Sequence, residues 1–248
     1  MKIKDIVPGK VEFQGFIENL RDKKNMQFVV IRDLSGKIQI TVVKSEHPEI
    51  AEIFSHATLE STVKVTGQAV ANEYVKLNGM EVIPETVEIT SRAEALPISD
   101  DSSIDQRMDY RWIDLRQEKN QLLFQVETTI TQAMREYLLN NDFIEIHTPK
   151  LIGTASESGS EVFEVKYFDR KAYLAQSPQF YKQMAIASGF ERVFEVAPCF
   201  RAEKSHTKKH ATEFTSFDVE FSYIDSFQDV MKLEAEMLTY GLTKTKEK

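Results

Sequence analysis

The sequence predicts an α+β protein in two parts, a small five-stranded β-barrel followed by a domain of sheet and helices. Three observations carry this. Short β-branched and aromatic runs alternate with turn residues over the first ninety or so positions. The alternation fails between Ser91 and Arg116. A long amphipathic segment from about Glu118 to Asn140 then opens a region of mixed periodicity.

In order, the strands expected are Val11–Ile17, Gln27–Asp33, Lys37–Val43, Thr62–Ala71 and Glu81–Ile89. Asp33-Leu34-Ser35-Gly36 reads as a tight hairpin. A short helix opens at Pro48, where proline suits a first turn. Five strands with a helix between the third and fourth is the layout of a Greek-key OB barrel, which binds oligonucleotides on one face. Another five-stranded barrel would satisfy the same pattern. Residues 1–92 are therefore read as a barrel and 93–117 as a linker or hinge, since Leu96-Pro97-Ile98-Ser99-Asp100 and its neighbours are polar and turn-rich. From 118 to 248, the helix stripe is Leu122, Val126, Ile130, Met134, Tyr137 and Leu138. A strand Phe143–Thr148 stops at Pro149, and a Gly/Ser-rich loop (153–160) leads to strands Val162–Tyr167 and Lys171–Ala175. Ser177-Pro178 signals a helix start. Strand Arg192–Val196, a polar loop, strand Thr215–Ser222, helix Phe227–Thr239 and a Lys/Thr-rich tail complete an antiparallel sheet flanked by helices.

With 248 residues, 42% of them hydrophobic and 16 of them Phe, the chain has apolar surface enough for a core and is no disulfide mini-scaffold. Its one cysteine, Cys199, forms no intrachain disulfide, which fits a reducing compartment. No run approaches a membrane span and MKIKDIVPGK lacks a signal-peptide core, so a cytoplasmic protein without membrane partners is expected. A net charge of −8 alone argues against nucleic acid. Residues 1–44, however, carry nine bases against five acids, so the barrel holds the one sizeable basic block.

The segment Phe200-Arg201-Ala202-Glu203, followed by a basic loop to His210 and the strand Glu213–Glu220, has the makings of a nucleotide site without a Gly-rich loop. Arg201 would grip an α-phosphate bidentately and Phe214 would stack on adenine. A surface hairpin with a Lys/His-rich tip is the plainer alternative.

Phe-Arg-x-Glu, its loop and the returning strand resemble motif 2 of the class II aminoacyl-tRNA synthetases, and Phe143-Ile144-Glu145-Ile146-His147-Thr148-Pro149 resembles their motif 1. Gln176-Ser177-Pro178-Gln179-Phe180-Tyr181-Lys182-Gln183 is similar to the amino-acid-binding segment of the aspartyl branch. The short connection before it and the Arg-Ala-Glu-x-x-x-Thr loop resemble the archaeal and eukaryotic type rather than the bacterial one. The resemblance implies a catalytic domain with an antiparallel class II sheet, a homodimer with Pro149 at its interface, and two-step ligation of L-aspartate to tRNA(Asp) using ATP with Mg²⁺. It implies that Arg201 and Glu203 act in catalysis, and that Arg201, Ala202, Glu203, Lys209, His210, Ala211 and Phe214 hold ATP. Glu157, Gln179, Lys182, Arg201 and Asp218 would hold aspartate: Lys182 pairs the β-carboxylate, which is costly to bury unpaired, and Asp218 and Glu157 take the ammonium. In the barrel, Phe28 would stack an anticodon base and Gln39 hydrogen-bond it, with Asn19 and Arg21 adding contacts. No protein-held metal site is expected.

Two departures stand out. Lys209-His210 replaces the usual Arg-His, a point charge for a planar fork. No Gly-rich, Arg-bearing motif 3 is found, so the chain is expected to hold a complete barrel and about half of a catalytic domain. An asparaginyl or non-discriminating enzyme, and a non-catalytic tRNA-binding paralogue, stay open as alternatives.

Overall fold

In the computed structural model the described residues are 1–157, 161–204, 207 and 209–248. Ser158, Gly159, Ser160, Ser205, His206 and Lys208, which belong to the two polar loops read above, lie outside them. The chain divides into two compact units, Met1–Gln121 and Leu122–Lys248.

The first unit is built on β1 (Gly9–Asp22), β2 (Met26–Asp33), β3 (Gly36–Val43), β4 (Thr62–Ala71) and β5 (Met80–Ser91), with α1 (Pro48–Ser55) between β3 and β4. They close in the order β1-β2-β3-β5-β4, and only β3 and β5 run parallel. Closure leaves no free edge. Side chains alternate as the sequence demands: Val29, Ile31, Ile38, Ile40, Val63, Val65 and Val82 point into the core with Phe13 and Phe54. At Gly67 a Cβ would strike the backbone of Ile83 and Pro84, so the strand crossing there admits no side chain. The segment between barrel and second unit carries two short helices, α2 (Ile104–Asp109) and α3 (Arg111–Asp114). A Ser103/Gln106 capping box starts α2, and the buried Asp114 carboxylate takes Arg107 and Arg111.

The second unit begins in α4 (Glu118–Asn140), the helix expected at those bounds. Its C-terminal half supplies Met134 and Leu138 to a core with Phe143, Phe194 and Met237. Leu122 and Val126, expected in the same buried stripe, are exposed: among the described residues the core packs against α4 only at its later turns, from Ile130 onward. The expected strand Phe143–Thr148 is only β6 (Ile144–Glu145). The chain leaves the sheet because the Thr148 amide is claimed by the Glu195 carboxylate at 2.7 Å. β7 (Leu151–Ile152), β8 (Glu164–Tyr167) and β9 (Arg170–Leu174) form one three-stranded sheet; β10 (Arg192–Phe200) and β11 (Glu213–Phe221) form another with β6. β6 pairs parallel to β10, so the sheet is not wholly antiparallel. α5 (Gln179–Ala187) starts with Pro178 as its N-cap rather than its first helical residue. α6 (Phe227–Glu247) absorbs the segment read as a tail, opening on a Ser226/Asp229 capping box. Gly241 lets α6 approach Met134 and Ile130 of α4.

Candidate functional site

β10 and β11 pair over nine residues, from Arg192 opposite Phe221 to Phe200 opposite Glu213. Strand alternation puts Asp218 and Glu220 on one face of β11, two residues apart. The buried Lys182 reaches this face from α5, its Nζ 2.5 Å from Asp218 Oδ1 and 3.3 Å from Glu220 Oε2. Burial works against the ammonium, but the hydrogen bond and charge of Asp218, followed by the charge of Glu220, outweigh it and hold the Lys182 pKa above the ordinary lysine value. The structure thus brings Lys182 and Asp218 into direct contact, with Glu220 as a third member that the sequence reading missed. Gln179 lies half-buried one turn earlier, its amide bonded to Ser177 Oγ at 3.3 Å.

Arg201 follows β10 directly. Its Nη2 lies 3.4 Å from Glu157 Oε2, and its guanidinium sits 5.3 Å from the Phe214 ring centroid, stacked on the aromatic face. Among the described residues, Arg201 Nε is buried without an acceptor. A buried cationic donor with no partner is costly, and an incoming oxyanion would satisfy it. The hairpin is pinned at its base by Arg201 N to Thr212 O at 2.9 Å, and Ala202 N donates to Glu161 O at 2.9 Å. Glu203 faces His210 at 3.9 Å rather than Arg201, whose carboxylate partner is Glu157. His210 Nδ1 meets Thr207 Oγ1 at 2.6 Å, and Lys209, His210 and Ala211 are exposed. Exposed Pro149 follows Thr148, whose N–H and hydroxyl both donate to Glu195, beside Lys150 Nζ at 2.8 Å from the same carboxylate. Gln176 and Glu195, both buried, were given no role by the sequence reading, because their partners, the Ser156 and Glu157 amides for Gln176 and the Thr148 amide, Thr148 hydroxyl and Lys150 ammonium for Glu195, lie about 20 and 45 residues away along the chain. Burial, followed by the nearby Asp218 charge, pushes the Cys199 thiol pKa up, which disfavours the thiolate.

In the barrel, Phe28 and Val30 face away from the core, while Gln27, Val29 and Ile31 face in. The Phe28 ring therefore stands outside the barrel core. Arg21, opposite Phe28 in the β1–β2 register, lies 5.5 Å from its ring centroid and 3.5 Å from Gln39 Oε1. Gln39 Nε2 donates to Thr41 Oγ1 at 3.1 Å; the Thr41 hydroxyl donates to Glu81, which also accepts from Asn72 Nδ2 at 2.7 Å. Phe28, Arg21 and Gln39 line one surface groove with Lys23 and Tyr74. Asn19 is exposed on β1, two residues before Arg21, and does not line that groove. Thr41, Asn72 and Glu81, which fix the Gln39 amide, escaped the sequence reading; Glu81 sits at a strand start and looks there like a surface acid. Among the described residues no three His, Cys, Asp or Glu side chains converge as a metal site. Among the described residues no helix is long and apolar enough to cross a membrane.

Comparison with known proteins agrees with this geometry. Residues 103–248 match the model of the class II tRNA synthetases (D, K and N), and residues 11–90 match that of an OB-fold nucleic acid binding domain. The chain is 42% identical over 253 residues to the aspartate–tRNA(Asp/Asn) ligase of Methanopyrus kandleri, covering 98% of this chain and 58% of that protein. It is 44% identical over 227 residues to the aspartate–tRNA(Asp) ligase of Picrophilus torridus, covering 90% of this chain and 53% of that one. Among solved structures, asparaginyl-tRNA synthetase from Pyrococcus horikoshii complexed with asparaginyl-adenylate superposes with a TM-score of 0.93 at 34% identity, over 100% of this chain and 58% of that one. The chain spans about half the length of the relatives it matches. With a family match over more than half its residues, a closed OB barrel before it and the motif 2 hairpin in place, the chain belongs to the class II tRNA synthetases of the D, K and N group.

Proposed function

We propose that this chain is the anticodon-binding barrel (1–92), hinge (93–117) and first catalytic part (118–248) of a cytoplasmic, homodimeric aspartate–tRNA ligase, with Pro149 near the dimer interface. The observation that carries the reading is the buried Lys182 ammonium beside Asp218, next to the Arg201–Phe214 hairpin. A fixed cation selects a side-chain carboxylate over a neutral amide, which favours aspartate over asparagine. In the proposed reaction the α-carboxylate of aspartate attacks the α-phosphorus of ATP, the bond to the β-phosphate oxygen breaks, and pyrophosphate leaves. A hydroxyl of the terminal adenosine of tRNA(Asp) then attacks the acyl carbon and AMP departs. Arg201, whose Nε lacks an acceptor among the described residues, binds the α-phosphate as charge accumulates on it. Phe214 offers its face to adenine, Lys209, His210 and Ala202 lie along the triphosphate path, and Glu157 and Asp218 receive the ammonium. Mg²⁺ bound with ATP would offset phosphate charge, and among the described residues no cluster of three His, Cys, Asp or Glu would hold it on the protein.

A second reading, an enzyme that also serves asparagine tRNA, is favoured by the Asp/Asn naming of the Methanopyrus relative and by the asparaginyl likeness. The deciding experiment is ATP–pyrophosphate exchange by the complete ligase of which this chain is proposed to be a part, with L-aspartate or L-asparagine, followed by charging of tRNA(Asp) and tRNA(Asn). Exchange with aspartate alone and charging of tRNA(Asp) is the expected result. Asparagine-driven exchange would overturn the aspartate assignment, charging of both tRNAs would establish the second reading, and no exchange with either amino acid would favour a tRNA-binding protein without catalysis.

A further inference from the structure

We infer that Gln176 is the positioning residue that fixes Glu157 opposite Arg201; the inference deepens the proposed aspartate site and rests on that reading. Gln176 has no solvent exposure. Its Oε1 accepts from two consecutive backbone amides, Ser156 N and Glu157 N, each at 3.1 Å. Residues 153–157 have no regular secondary structure, so the Ser156 and Glu157 amides have no strand or helix partner and depend on a side chain for satisfaction. The oxygen that serves them is held on a rigid base: Ala175 N donates to Lys150 O at 2.9 Å, and Phe200 N donates to Ala175 O at 3.0 Å. The same base leads through Phe200 into Arg201.

Gln176 and Arg201 are therefore tied to one backbone crossing, and the two amide bonds place the Glu157 carboxylate within 3.4 Å of the guanidinium. A neutral acceptor suits the position. A carboxylate there would accept the same two N–H groups, and these hydrogen bonds to its charged form offset its repulsion from Glu157. If Glu157 binds the substrate ammonium, its placement matters alike before and during the reaction, and losing it weakens binding more than turnover.

The test compares Gln176→Leu, which removes the acceptor at similar volume, with Gln176→Glu, which keeps one. Amide hydrogen exchange is followed at Ser156 and Glu157, with Val193 and Phe194 as reference for the global fold. Gln176→Leu is expected to speed exchange about tenfold or more at the two loop amides while the reference amides hold, and Gln176→Glu to restore loop protection. In aspartate-dependent ATP–pyrophosphate exchange, Gln176→Leu should raise the KM for aspartate about tenfold with kcat nearly constant. Unchanged loop amides in Gln176→Leu would overturn the inference, as would a fall in kcat at constant KM. If Gln176→Leu loosens the reference amides too, Gln176→Glu decides: restored loop protection supports the role and its absence overturns it. A complete wild-type ligase that shows no amino-acid-dependent pyrophosphate exchange would sink the aspartate reading, and the loop amides would still decide the positioning role.

Discussion

Lys182 is the residue at which charge, burial and proposed chemistry meet. Its ammonium neutralises one of two carboxylates that alternation places on the same face of β11. Lys182→Met would leave Asp218 and Glu220 facing each other without a cation, at a cost of about 3 kcal/mol if neither relaxes. The expected outcome is a lower melting temperature and a fall of about 100-fold or more in aspartate-dependent pyrophosphate exchange. Lys182→Arg should recover most of the melting temperature without recovering the KM for aspartate, because a planar fork does not reproduce a compact ammonium. An unchanged exchange rate in Lys182→Met would remove the lysine from the site. The pH sign follows from the raised pKa: the stability this group contributes is complete below the ordinary lysine value of 10.5 and is lost only as pH climbs through the higher folded value. Lys182 and Asp218 were legible because they sit in recognisable segments. Glu220 was missed although its spacing of two from Asp218 was readable. Gln176 left no periodic trace, since its partners are the amides of Ser156 and Glu157, whose identity no side chain announces.

At the scale of elements, the hairpin between β2 and β3 shows what a short signal can specify. Asp33 Oδ1 accepts from Ser35 N at 2.7 Å, Ser35 Oγ at 2.6 Å and Gly36 N at 3.0 Å, while Oδ2 accepts from Ile3 N at 2.9 Å. Burial pushes the carboxyl up, but the Ser35 hydroxyl and the three backbone amides outweigh it and hold the pKa below the ordinary 3.8. Stability from this group is thus present above 3.8 and lost as pH falls through the lower folded value. Asp33→Asn should cost about 1–3 kcal/mol near neutral pH. In urea unfolding followed from about pH 7 to pH 3, the gap between wild type and variant should narrow at the acid end; a gap constant with pH would mean the carboxylate charge is irrelevant to the turn. The barrel strands were legible to within a few residues because each has one buried face, and period-2 alternation is then unavoidable. The second unit was less legible. β6 and β7 hold two residues each, too short for a period, and the exposed Leu122 and Val126 continue a stripe whose buried part begins only further along α4. Ser177-Pro178 announced α5 correctly but not which residue caps it.

For the molecule as a whole, the two units carry different ligands in the proposed function, and one prediction separates them. Net charge of −8 describes neither unit, because the basic residues of the first 44 positions sit on a barrel whose Phe28 ring faces outward. Phe28 is flanked by Arg21 on its ring and by Gln39, whose amide is oriented by Thr41 and, through it, by Glu81. A half-buried, outward-facing aromatic beside a fixed amide suits an unpaired base, stacked by the one and hydrogen-bonded by the other. Phe28→Ala should weaken tRNA(Asp) binding by about 1–3 kcal/mol, roughly 5- to 150-fold. Because Val29 and Ile31, and not Phe28, fill the barrel core, the melting temperature should fall by only a few degrees. The measurement is tRNA affinity by filter binding at one fixed salt concentration, since phosphate contacts shift with salt. Amino-acid-dependent pyrophosphate exchange, which needs no tRNA, runs beside it on the same preparation. A drop in affinity with exchange intact assigns base recognition to the barrel and activation to the second unit. Equal affinity for wild type and Phe28→Ala would take the aromatic out of the interface, and would leave the basic residues of β1 and its turn as the barrel's contribution to binding.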